Sequence, residues 1–159
     1  MNIQKVMQND KIDFSGIASS YFLIGLLSAF DNRFQAMADK AIKIISWKQF
    51  FTIICIQLCK EPPTLKELSM IMGSSHQNVK TILNKLEKKG FVKFAPDQHD
   101  RRKQRILLTE ECLAFCQEND EHTSRLMQQM FHGISEEQLK MTIQTIIQIE
   151  TNMENIKER

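Results

Sequence analysis

The chain has 159 residues, 42% of them apolar and 25% charged, with five glycines, three prolines and a formal net charge of +2. That length buries a real core, and the ordinary apolar and charged fractions exclude a disordered chain. No apolar run reaches the length of a membrane span. The amino terminus, M-N-I-Q-K-V-M-Q-N-D, lacks an apolar signal core, so the chain is expected in the cytoplasm with its thiols reduced.

Mostly helical apolar spacing and few glycines predict a mainly α fold, and the helix starts are well marked. A first helix is expected over 15–41, with Ile17, Tyr21, Ile24, Leu27, Phe30, Phe34 and Met37 along one side. A second, over 47–60, opens on the capping box of Ser46 with Gln49 and cannot pass Pro62 and Pro63. Thr64 with Glu67 opens a short third helix over 64–72, which Gly73 ends. A fourth follows over 75–89 and stops at Gly90. Residues 91–95 and 103–108 read as antiparallel strands around a loop over 96–102. Thr109, followed by two glutamates, starts a fifth helix over 110–131, and Ser135 with Gln138 starts a sixth over 136–156. The sixth carries a near-heptad apolar seam at Leu139, Ile143, Ile146, Ile149, Met153 and Ile156. With the first helix it offers more apolar stripe than a small domain covers, which implies a dimer or else a larger monomeric core.

Charge is unevenly spread. Between His76 and Arg105 stand nine Lys or Arg and three acids, a local charge of +6 that leaves −4 on the rest of the chain. A localised patch of this kind points to a polyanionic partner. On the fourth helix Val79, Ile82, Leu83 and Leu86 form one stripe, while Gln77, Thr81, Asn84 and Lys88 lie opposite, flanked by Asn78, Lys80 and Lys85. Gln and Asn pair with adenine, Thr meets a thymine methyl, and Lys reaches guanine or phosphate, so this face suits a major groove. A plain solvated face has the same polarity. The adjoining hairpin tip, with Arg101, Arg102 and Lys103, favours the groove-reading alternative, because arginine is drawn into a narrow minor groove. Asp100 is expected to act as a brace that fixes the loop or one guanidinium by a bidentate pair. Ser74, Ser75 and His76, at the start of the helix where free N–H groups favour anions, complete the candidate DNA contacts.

The run G-S-S-H-Q-N-V-K-T-I-L-N-K-L-E-K-K-G-F-V followed by P-D-Q-H-D-R-R-K-Q-R-I-L-L-T resembles the winged helix-turn-helix of the multiple-antibiotic-resistance regulators, the MarR family. Asp100 and Arg102, then Thr109 after six residues, fit the family's wing signature, and T-L-K-E-L-S-M-I-M-G fits its first helix-turn-helix element. The resemblance implies a homodimeric regulator of transcription on inverted-repeat double-stranded DNA. A DNA-binding lobe over 45–109 would join a dimerisation lobe formed by 1–44 with 110–159. It further implies a repressor released by a small phenolic or lipophilic effector, or by cysteine oxidation. The reactive cysteine of the redox branch lies near the amino terminus, whereas this chain has none before Cys55.

Cys55/Cys59 and Cys112/Cys116 are helical i, i+4 pairs, too far apart at about 5–6 Å between Cβ atoms to form disulfides within a pair. Without short C-x-x-C knuckles, they are expected to be buried thiols and no metal site. No catalytic Ser/His/Asp set and no phosphate-binding glycine loop is present, so neither an enzyme nor a resident cofactor is expected. Tyr21, Phe22, Trp47, Phe50 and Phe51 place aromatic surface near the junction of the two expected lobes; such residues are more often simply core, and the resemblance implies an effector lining made of some of them. Two other functions fit the same residues, namely a protein-interaction adaptor on a winged scaffold and a thiol or metal sensor using the helix cysteines.

Overall fold

The structure is a computed structural model that describes residues 16–98, 100 and 102–157. Eight elements follow one another: α1 (Ser19–Ile42), α2 (Trp47–Leu58), α3 (Leu65–Ile71), α4 (His76–Lys88), β1 (Val92–Pro96), β2 (Gln104–Leu108), α5 (Glu110–Met130) and α6 (Glu136–Lys157). They divide into two compact units, Met1–Cys112 and Leu113–Arg159.

In the first unit, α1 begins later than its apolar stripe predicts. Gly16 has a φ of +84° and Ala18 is extended, with no side-chain cap to mark the start. Ser15, the expected first residue, lies outside the described residues. Where caps are present, sequence and structure coincide. Ser46 Oγ accepts from Gln49 N–H at 3.3 Å while Gln49 Oε1 accepts from Ser46 N–H at 3.0 Å, which opens α2. Thr64 and Glu67 open α3 in the same reciprocal way, at 3.3 and 2.7 Å. Helix α2 stops at Leu58, with Cys59 already extended ahead of the two prolines.

Helix α4 starts on Ser75, whose Oγ accepts from Asn78 N–H at 3.3 Å. It closes in a Schellman arrangement: Phe91 N–H donates to Leu86 O at 3.0 Å and Gly90 N–H to Glu87 O at 2.9 Å. Because Phe91 spends its N–H there, the ladder begins one residue later than expected, with Val92 paired to Leu108 and Pro96 to Gln104. The core of this unit lies between α2, α3, α4 and the hairpin, on Ile53, Leu68, Val79, Leu83, Leu86 and Ile106, all essentially inaccessible. Each contributes about 1.5–3 kcal/mol by leaving water.

The second unit consists of α5 beyond Cys112 and α6. Ser135 and Gln138 form the expected box, at 3.2 and 2.9 Å. Leu139, Ile146 and Ile149 are half-buried on α6, while Met141, Ile143, Ile147, Met153 and Ile156 are exposed. Among the described residues no single helix is long and apolar enough to cross a membrane.

Candidate nucleic-acid interface

Helix α4 is strongly two-faced. Val79, Ile82, Leu83 and Leu86 are buried, whereas His76, Gln77, Asn78, Lys80, Thr81, Asn84 and Lys85 are exposed. The exposed polar side chains are partly fixed. Asn78 Nδ2 donates to Ser74 Oγ at 2.8 Å, and Thr81 Oγ1 donates to Gln77 O at 2.9 Å. With its hydroxyl proton engaged on the backbone, Thr81 offers its methyl as an apolar contact. Lys85 and Lys88 lie in the last turn, where the helix dipole favours cations. Lys89 turns elsewhere: its Nζ donates to Ile44 O at 3.0 Å and ties the helix end to the α1–α2 connection.

The loop between the strands is held shut from within. Asp97 N–H donates to Lys103 O at 2.9 Å and Lys103 N–H to Asp100 O at 2.8 Å. Asp97 Oδ1 accepts from Asp100 N–H at 2.8 Å. Asp100 meets the tip through one oxygen: its Oδ1 takes Arg102 N–H at 3.2 Å and Arg102 Nε at 3.5 Å. Lys103 Nζ lies 3.7 Å from Asp100 Oδ2. The Arg102 side chain is 95% exposed. Arg101 and His99 lie outside the described residues.

Sequence reasoning missed two residues here. Arg105, counted among the patch cations, has a side chain only 26% exposed, and its Nε pairs with Asp97, itself 6% exposed. Its Nη1 donates to Pro62 O at 3.0 Å and to Glu67 Oε2 at 3.3 Å. The hydrogen bond to Asp97 holds the guanidinium above its ordinary pKa. Glu67 is held below the usual carboxylate value, first by Thr64 N–H, then by the Thr64 hydroxyl, with Arg105 adding attraction. A strand alternation places Arg105 opposite buried Ile106, but only its partners 8, 38 and 43 residues away show where it points.

The aromatic side chains form a file from α1 to α2. Phe34 meets Trp47 edge-on at 4.6 Å between centroids, and Trp47 stacks near Phe51 at 6.0 Å. A cleft of about 520 Å³ opens beside them, lined by Phe34, Trp47 and Phe51 together with Met72, Ser74, Asn78 and Ile82. Of the five aromatic residues expected near the junction the cleft gathers Trp47 and Phe51; Tyr21 is 78% exposed on α1, and Phe22 and Phe50 do not line it. Phe34, not singled out from sequence, does line it. None of the four cysteines is in a disulfide; burial, then the neighbouring Cys59, pushes the Cys55 thiol up. Among the described residues no three His, Cys, Asp or Glu gather to hold a metal.

Residues 45–103 match the model of the MarR family. The chain is similar to a MarR/EmrR family transcriptional regulator from Acinetobacter sp. ADP1, with a TM-score of 0.77 at 15% identity over 87% of this chain and 99% of that one. It is similar to MepR of S. aureus, solved as a complex with DNA, with a TM-score of 0.74 at 16% identity over 87% and 99%. BpsR of Bordetella bronchiseptica, whose DNA binding is regulated by 6-hydroxynicotinic acid, gives 0.70 at 17% identity over 87% and 96%. At such identities the likeness is one of fold: a mainly helical chain with a two-stranded wing.

Proposed function

We propose, from the premise that residues 45–103 are a winged lobe of the MarR family, that the chain is a sequence-specific DNA-binding regulator of transcription in the cytoplasm. The observation that carries this reading is the exposed Gln77–Lys85 face of α4, backed by a buried stripe, with the outstretched Arg102 on the adjoining wing. The helix would enter a major groove and the wing would follow the backbone into the neighbouring minor groove. Residues 45–109 would form the DNA-binding lobe, and 1–44 with 110–159 the dimerisation lobe. The exposed Met141, Ile143, Ile147, Met153 and Ile156 on α6 support a homodimer, since a monomer rarely leaves so much apolar surface in water. A two-fold dimer reads an inverted repeat, so the site would be one.

The Trp47–Phe51 cleft supports a repressor released by a small phenolic or lipophilic effector, because Ser74 and Asn78 of the reading element also line it. Selection of bound duplex from a random pool tests the reading. It should yield an inverted repeat whose binding weakens steeply between about 50 and 200 mM salt. A pool that never converges, with no salt dependence, would sink it and favour the adaptor function. Trp47 is the sole tryptophan, so its fluorescence reports occupancy of the cleft directly.

A further inference from the structure

We infer that Arg105 is a positioning residue, an internal tether that sets the wing against the start of α3, and not one of the cations that meet DNA. The inference rests on the DNA-binding reading above and adds a role for a residue that its charge alone would misassign. A two-stranded hairpin is at best marginally stable by itself and needs something to pack on. Here the body of the lobe supplies it. The Ile106 N–H donates to Pro63 O at 2.9 Å, Thr64 bridges to Arg105, and the Arg105 guanidinium reaches Pro62 O and Glu67 from the strand.

From the other side of the same guanidinium the connection continues into the loop. Asp97 pairs with Arg105 Nε and holds Asp100 N–H at 2.8 Å, and Asp100 holds the backbone of Arg102 at 3.2 Å. Glu67, Arg105, Asp97, Asp100 and Arg102 are therefore linked in one file from the first helix of the helix-turn-helix to the wing tip. The two arginines differ in kind: Arg102 is 95% exposed, Arg105 26%. Turning Arg105 outward to a phosphate would strip a guanidinium from the buried carboxylate of Asp97, a costly exchange. Left in place, it spares the wing the ordering cost that a loose segment incurs on binding.

The test compares wild type, Arg105→Met, Arg105→Lys, Arg102→Ala and the Arg102→Ala/Arg105→Met double variant on the selected duplex. Affinity, hydroxyl-radical protection of the minor groove beside each half-site and protection of major-groove guanine N7 from methylation by dimethyl sulfate are the readouts. Arg105→Met should weaken binding by about tenfold, the order expected for groups coupled in one network. It should erase the minor-groove protection while major-groove guanine protection persists. In the Arg102→Ala background the same change should have almost no effect, because the tether acts through the wing. Arg105→Lys, which keeps the charge and loses the fork, should behave like Arg105→Met. Full additivity of the two changes, or wild-type affinity for Arg105→Lys, would overturn the inference. If Arg105→Met fails to fold, Glu67→Gln serves instead: it keeps an N3 residue able to cap α3 and removes the anion, and an unchanged wing footprint there is equally fatal. A wild-type chain that binds no duplex would sink the DNA-binding reading first.

Discussion

Gly90 joins α4 to the wing at a φ of +76°, a conformation that costs an L-residue about 1–2 kcal/mol. A Cβ there would also meet Glu111 Oε2 at 2.9 Å, the far end of a flexible side chain that has room to swing aside. Backbone strain is thus the main cost. Gly90→Ala is expected to lower stability by about 1–2 kcal/mol in a denaturant titration, with no rescue from adding Glu111→Ala. Full rescue would show that the side-chain clash dominates. Gly90 was legible in the sequence as a helix stop because its signal is local, as were Ser46, Thr64 and Ser135 as starts. Arg105 was not. Its charge is visible in the sequence, but its direction depends on Pro62 and Glu67, brought up by the chain's return.

At the scale of elements, α3 and the wing share one carboxylate oxygen. Glu67 Oε2 accepts from Thr64 N–H at 2.7 Å, Thr64 Oγ1 at 2.9 Å and Arg105 Nη1 at 3.3 Å. Its pKa is lowered from an ordinary 4.5, so the stability it lends is complete above that pH and disappears as acid protonates the folded form. Melting temperatures should accordingly fall less between pH 7 and acid in Glu67→Gln than in wild type. Parallel curves for the two would refute this assignment. The capping box was readable from T-L-K-E alone, whereas its second duty to the wing was not. The same division holds for α1: its apolar stripe was evident, but its start was not, because Ala18 provides no side-chain cap.

For the whole molecule, the apolar face of α6 is the feature with the largest consequence. Ile147→Glu places a charge one helical turn from the exposed Ile143, and it should convert a two-copy species into single copies by sedimentation, with a loss of DNA affinity. A wild-type chain that already sediments as one copy would dispose of the dimer. The heptad pattern marked Ile143, Met153 and Ile156 in advance, but not Met141 or Ile147. The aromatic cleft was only half readable, since Tyr21 and Phe34 look alike in a stripe and only packing puts Phe34 on the lining. That cleft shares Asn78 with the exposed face of α4. Linkage makes any antagonism between the two surfaces mutual: a compound that loosens the duplex by some factor is itself held more weakly, by that factor, on the duplex-loaded protein. An abundance of operator would then blunt the response to the compound.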